Sequence, residues 1–150
     1  MKKLFQAMLI MIAASCALAV HAQVRGSKEE AVALVHKVIA YIKANGKEKA
    51  FAAVNNGQFH DRDLYVTINS PENLNYAHGA NPRMIGKDLS DIKDVDGKYY
   101  MRERREMLKT KSSGWHDYKF VNPMTKQIEK KSMYFERYED VVVGCGVYTP

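Results

Sequence analysis

The hydrophobic period of this chain changes at Asn55-Asn56-Gly57. Before that turn, apolar residues recur at helical spacing. After it they alternate, apart from one return to helical spacing between Lys98 and about Lys111. A chain patterned this way must lay amphipathic helices against a sheet. Ser27-Lys28-Glu29-Glu30 opens the helical part as a capping box, with Ser27 as N-cap and Glu30 reaching back. Ala31, Leu34, Val35, Val38, Ile39 and Ile42 then form one apolar stripe that stops at Asn45-Gly46. A second, short helix is expected from about Lys47 to Val54.

Period two begins at Asp63, with Leu64, Val66 and Ile68 on one face. Across the turn at Ser70-Pro71-Glu72-Asn73, the next run places Leu74, Tyr76 and His78 together. These two strands read as a hairpin. Residues 79–96 read as a long crossing loop. The third helix follows, with Tyr100, Met107 and Leu108 as its inner face and Arg102, Arg104, Arg105, Lys109 and Lys111 on a solvated one. Three further strands are expected, at 115–121, 128–138 and 141–148. The fold class is therefore α+β: a long N-terminal helix and a five-stranded antiparallel sheet with a crossing helix.

The N-terminus has its own pattern. Lys2 and Lys3 precede an uncharged apolar run from Leu4 to Val20, and small residues lead to Ala22-Gln23. This is the layout of a secretory signal, with its cut expected after Ala22; lipidation at Cys16 is a weaker alternative. Residues 1–22 would then be the signal and 23–150 one domain, placed in the periplasm or secreted. Loss of Lys2 and Lys3 lowers the formal charge from +6 to +4 and leaves Cys145 as the sole cysteine. One thiol cannot form an internal disulfide, so the domain must stand on its core. So mild a charge gives no reason to expect a nucleic-acid partner.

No nucleophile motif is present, no His-x-x-x-His or Cys-x-x-Cys spacing offers a metal site, and no cofactor motif appears. His60-Asp61 and His116-Asp117 are neighbours whose side chains point to opposite faces of a strand, so both pairs read as solvated polar residues. Asp94-Val95-Asp96-Gly97 imitates part of a calcium loop but lacks an acidic first ligand and reads as a turn. The remaining signal is aromatic and polar residues on sheet faces: His116, Tyr118, Phe120 and Asn122 on one strand, His78 on another and Tyr134 on a third. Aromatic walls with a cation and fixed donors suit a small-anion pocket, and Lys130 or Lys131, His78 and tyrosine hydroxyls would bind a carboxylate. The same residues also suit an ordinary core with satisfied hydroxyls.

In order, Ala77-His78-Gly79-Ala80-Asn81-Pro82, Ile85-Gly86-Lys87, Asp94-Val95-Asp96-Gly97-Lys98, the run from Gly114 to Pro123, Lys130-Lys131-Ser132-Met133-Tyr134 and Gly144-Cys145-Gly146-Val147-Tyr148 resemble the single Cache domain of type 2. That family is an extracytoplasmic sensor module with a PAS-like fold. The resemblance implies a ligand-binding sensor and not an enzyme. Its ligand would be a small organic acid such as pyruvate, lactate or acetate, held by His78, Met84, Tyr118, Phe120, Asn122, Lys131 and Tyr134. Strand alternation sets Lys131 and Tyr134 on opposite faces, so both line one pocket only if the strand bulges or begins late, and Lys130 is the substitute. The signal would pass to a separate partner such as a membrane receptor or kinase. The alternative is an interaction module that dimerises through the N-terminal helix without a ligand. N-terminal sequencing of the exported protein is expected to start at Gln23; a retained Met1 would instead leave the domain tethered at the membrane.

Overall fold

The computed structural model describes residues 24–149. The signal segment, its cut after Ala22 and Cys16 lie outside the described residues. The elements run α1 (Lys28–Asn45), α2 (Lys47–Asn55), β1 (His60–Asp61), β2 (Leu64–Asn69), β3 (Asn75–His78), a single 3-10 turn (Pro82–Met84), α3 (Tyr100–Met107), β4 (Ser113–Val121), β5 (Ile128–Tyr138) and β6 (Val141–Thr149). The class is α+β, as expected, with β1 as an additional two-residue strand. No described helix is long and apolar enough to cross a membrane.

The Ser27 hydroxyl accepts from Glu30 N–H, and the Glu30 carboxylate accepts from Ser27 N–H, so the capping box starts α1 where the sequence places it. This helix buries Ala31, Val35, Val38, Ile39 and Ile42 against the sheet. Each of the aliphatic ones contributes roughly 1.5–3 kcal/mol by leaving water. Val66, Ile68, Val143, Cys145 and Val147 face them from β2 and β6. The Cys145 thiol is pushed up to about 12 by burial, so it packs as an inert apolar group.

All pairings are antiparallel, in the order β1-β2-β6-β5-β4, with β3 also on β2. The C-terminal strand β6 therefore sits at the centre, inserted between β2 and β5. Pairing of β2 with β3 shifts register between Ile68 and Asn69. That irregularity separates two residues expected on one face: Tyr76 stacks on Phe51 of α2, whereas His78 stacks on Tyr65.

The crossing loop covers the other face and ends at the turn Asp94–Gly97. Asp94 Oδ1 accepts from the N–H groups of Asp96 and Lys98 at 3.0 and 2.9 Å, and its Oδ2 accepts from Lys119 N–H of β4 at 3.1 Å. Lys98 Nζ donates to the Asp117 carbonyl. The turn thus shields the outer edge of β4, which would otherwise present open backbone groups. Among the described residues no three metal-ligating side chains gather here or elsewhere. Asp94→Ala is expected to lower unfolding free energy by about 1–3 kcal/mol in urea titrations, the loss of a carboxylate that serves three backbone donors, two of them half-buried. An unchanged midpoint would show that the turn is not tied to the edge.

Candidate functional site

The second face of the sheet carries the site. In register, Tyr118 of β4 lies opposite Lys131 of β5, which lies opposite Tyr148 of β6; His116, Met133 and Gly146 form the next row. Glycine at 146 is what allows Lys131 to lie flat, because any Cβ there would overlap the lysine methylenes. Gly144 likewise leaves room for Met133 and the Thr67 hydroxyl. Between Val142 and Tyr148 this face of β6 carries only the two glycines, and Lys131 and Met133 lie across them; a cavity lies beside Met133.

The cavity has a volume of about 20 Å³, enough for about one water. Tyr65, Thr67 and Asn69 of β2 border it, with Asn75 and His78 of β3. Helix α3 contributes Tyr100, Met101 and Arg104, and Tyr118, Phe120 and Met133 come from β4 and β5. The crossing loop closes it with Met84 and Leu89. Tyr100 stacks flat on Tyr118 with ring centroids 4.0 Å apart.

Arg104 is the residue the sequence reading misplaced. Expected on a solvated face, it is fully buried. The inward face of α3 is Tyr100, Met101 and Arg104, not Met107 and Leu108, because the helix stops at Met107 and turns positions i, i+1 and i+4 to the sheet. Its Nη1 donates to Asn69 Oδ1 at 3.2 Å and its Nη2 to Asn73 Oδ1 at 3.0 Å. Both acceptors are neutral amides, and Nε has no partner among the described residues. Burial lowers the guanidinium to about 10, which leaves it charged at neutral pH.

A second cation is built differently. Lys131 is 1 % exposed and donates to Tyr65 Oη at 2.6 Å and Tyr148 Oη at 3.1 Å. The two hydroxyls are 3.0 Å apart, and Tyr148 donates to the Val121 carbonyl at 2.9 Å. The protons therefore run in one direction, from Lys131 to Tyr65 to Tyr148 to the backbone. Nζ also lies 3.9 Å from the centroid of the Tyr65 ring. Desolvation brings the ammonium down to about 7. Lys131 does not border the cavity itself; Tyr65 connects the two, and Lys131 borders a surface cleft with Tyr118 and Asp117.

His78, Met84, Tyr118 and Phe120 meet at the cavity. His78 is not a cation there. Burial and the nearby Lys131 hold it down at about 3, and its Nδ1 accepts from the N–H groups of Ala80 and Asn81, leaving Nε2–H as a donor. Tyr134 lies elsewhere. Strand β5 pairs without a bulge from Lys130 to Tyr138, so Tyr134 points to the helix side, near His36 and Trp115, and donates to Glu136. Lys131, not the exposed Lys130, faces the site. Asn122 belongs to the β4–β5 turn: its amide donates to Glu129 and its oxygen accepts from Met124 N–H. His116 is buried, not solvated, and is held neutral by desolvation and the nearby Arg104. Thr67, Asn69, Asn75, Tyr100 and Arg104 were not singled out for the site, and the polar alternation of Tyr65-Thr67-Asn69 opposite Leu64-Val66-Ile68 was the signal available.

The family model Single Cache domain 2 matches residues 9–150. The chain belongs to the Single Cache domain 2 family. It is 29 % identical over 91 residues to the methyl-accepting chemotaxis protein McpP of Pseudomonas putida, a match spanning 59 % of this chain and 17 % of that protein. A periplasmic sensor domain of a chemotaxis protein superposes with a TM-score of 0.65 at 26 % identity, over 81 % of this chain and 90 % of that one. A Cache chemosensory domain described for carboxylic acid recognition gives 0.69 at 24 % identity, covering 81 % and 92 %. A methyl-accepting chemotaxis protein from Vibrio parahaemolyticus gives 0.70 at 20 %, covering 97 % and 96 %. The latter two likenesses establish the fold alone.

The Lys131 environment has a pH signature. The unfolded chain keeps this proton to about pH 10.4, whereas the folded one releases it above about 7. Between those values the unfolded state binds more protons, so stability rises with pH. Subtracting the profile of Lys131→Met from that of the wild type should leave a positive slope across roughly pH 7–10, at most about 1.4 kcal/mol per unit. A flat difference would mean that the buried ammonium keeps its proton throughout.

Proposed function

We propose that this domain is an extracytoplasmic sensor that captures a small organic acid and passes the signal to a separate partner, such as a membrane chemoreceptor. The observation that carries the reading is Arg104: a fully buried guanidinium bordering a cavity, with neutral amides at Nη1 and Nη2 and, among the described residues, no partner at Nε. Among the described residues no carboxylate is paired with it. A buried charge of this kind is strongly favoured by an anion that arrives from outside.

In this reading the acid's carboxylate meets Arg104, and His78 Nε2–H orients it. Met84 and Phe120 cover its apolar end. Lys131 acts through Tyr65, whose hydroxyl it turns toward Tyr148. Binding makes and breaks no bond. The structural likeness to a carboxylic-acid domain lends the fold, while the ligand class rests on Arg104. Residues 1–22 as a cleaved signal, 23–150 as the mature domain and a periplasmic location belong to the same proposal.

The closed volume of the cavity favours a second reading, a dimerising module whose pocket is filled by core. The bare polar atoms on its wall speak against a dry core.

Thermal melts with acetate, propionate, pyruvate and lactate decide between them. An acid at about a hundred times its Kd should stabilise by about 2.7 kcal/mol and raise Tm by several degrees. Arg104→Gln is expected to keep most of the unliganded Tm, since an unpaired buried charge stabilises little, and to lose the response. The reading fails if no acid raises Tm, or if Arg104→Gln responds as the wild type does.

A further inference from the structure

The wall of the cavity asks for more than a carboxylate. Asn75 lies opposite Asn69 in the β2–β3 register, and Asn69 Oδ1 accepts from Arg104 Nη1. The three side chains are consecutive neighbours on one wall, each at most 1 % exposed. Four of their polar atoms lack a partner among the described residues: Arg104 Nε, Asn69 Nδ2, and both Nδ2 and Oδ1 of Asn75. Three of these are donors, which an ionised carboxylate satisfies. The fourth, Asn75 Oδ1, is an acceptor, and a carboxylate has no hydrogen to give it. Exchanging the oxygen and nitrogen of the Asn75 amide changes nothing, because both ends are bare.

A ligand that displaces water from the cavity must supply that donor from a second group of its own. An ammonium is one option and a hydroxyl the other. No acidic side chain among the described residues borders the cavity, and Arg104 already brings a positive charge. An ammonium would be desolvated beside that cation with no protein anion to offset it. A hydroxyl is neutral, and it both gives and accepts one hydrogen bond.

We propose that the cavity is built for a small 2-hydroxy carboxylate and that Asn75 reads its hydroxyl. The hydroxyl donates to Asn75 Oδ1 and accepts from Asn75 Nδ2, while the carboxylate accepts from Arg104 Nε and Asn69 Nδ2. The stacked Tyr100 and Tyr118 rings restrict the acid to about two or three carbons, and half-buried Met84 on the crossing loop is the flexible group that yields to it. The inference rests on the carboxylate reading and adds the group that discriminates among acids.

Calorimetric titration of the chain with matched acids tests it. Glycolate is expected to bind at least about tenfold more tightly than acetate, and lactate than pyruvate, because a site shaped for a hydroxyl leaves polar groups unpaired when the hydroxyl is missing. Alanine should bind more weakly than lactate. Asn75→Leu should bring both ratios within about twofold. If glycolate and acetate bind the wild type equally, this proposal falls while the carboxylate reading stands. Should no acid bind, both fall. A ratio that survives in Asn75→Leu removes Asn75 from its role. Where that variant does not fold, the two acid pairs on the wild type decide by themselves.

Discussion

Arg104 and Lys131 are buried on the same side of one sheet, and among the described residues no carboxylate is paired with either of them. Taking a cation out of water costs several kcal/mol unless something replaces its hydration. The protein replaces it with neutral oxygens: two asparagine amides for Arg104, two phenols for Lys131. Each arrangement solvates the charge without cancelling it. The field of Arg104 is therefore kept for the cavity it borders, and Lys131 lies behind Tyr65 on the same side.

The rest of the architecture serves that arrangement. The two faces of β6 are made of different material. Val141, Val143, Cys145 and Val147 pack under α1 and α2, while Val142, Gly144, Gly146 and Tyr148 look the other way. The first set supplies an aliphatic core, which anchors the sheet. The second leaves a shallow trough that Lys131 and Met133 cross and that aromatic rings wall in. Dense apolar packing on one face provides the stability that polar burial on the other does not. Helix α3 and the crossing loop then need only cover the trough, and Asp94 pins that cover to the edge of β4.

Much of this was legible in advance. The capping box, the stripe of α1 and the alternation of β5 are local patterns, and local patterns survive into the fold. The conflict between Lys131 and Tyr134 was also visible in period two; the unbroken β5–β6 ladder resolved it in favour of Lys131. Arg104 was not legible. One arginine among Arg102, Arg104 and Arg105 carries no mark of burial, and helical periodicity gives arginine a polar reading by default. Asn122 was misread for a related reason. It continues the face of Tyr118 and Phe120 in register, but the chain has already begun to turn there, and its amide serves Glu129.

The sequence by itself determined the class of the fold, the order of its main elements and the family, because each follows from patterns along the chain; the face of β5 that looks inward needed the β5–β6 ladder. The tertiary structure alone decided which polar side chains meet. Asn69, Asn75 and Arg104 come from two strands and a helix, and nothing in their local sequence sets them apart from surface residues. They acquire their character when β2, β3 and α3 close around one small volume from which water is largely excluded. There a guanidinium and two amides lose their solvent and keep polar atoms that no other described residue satisfies.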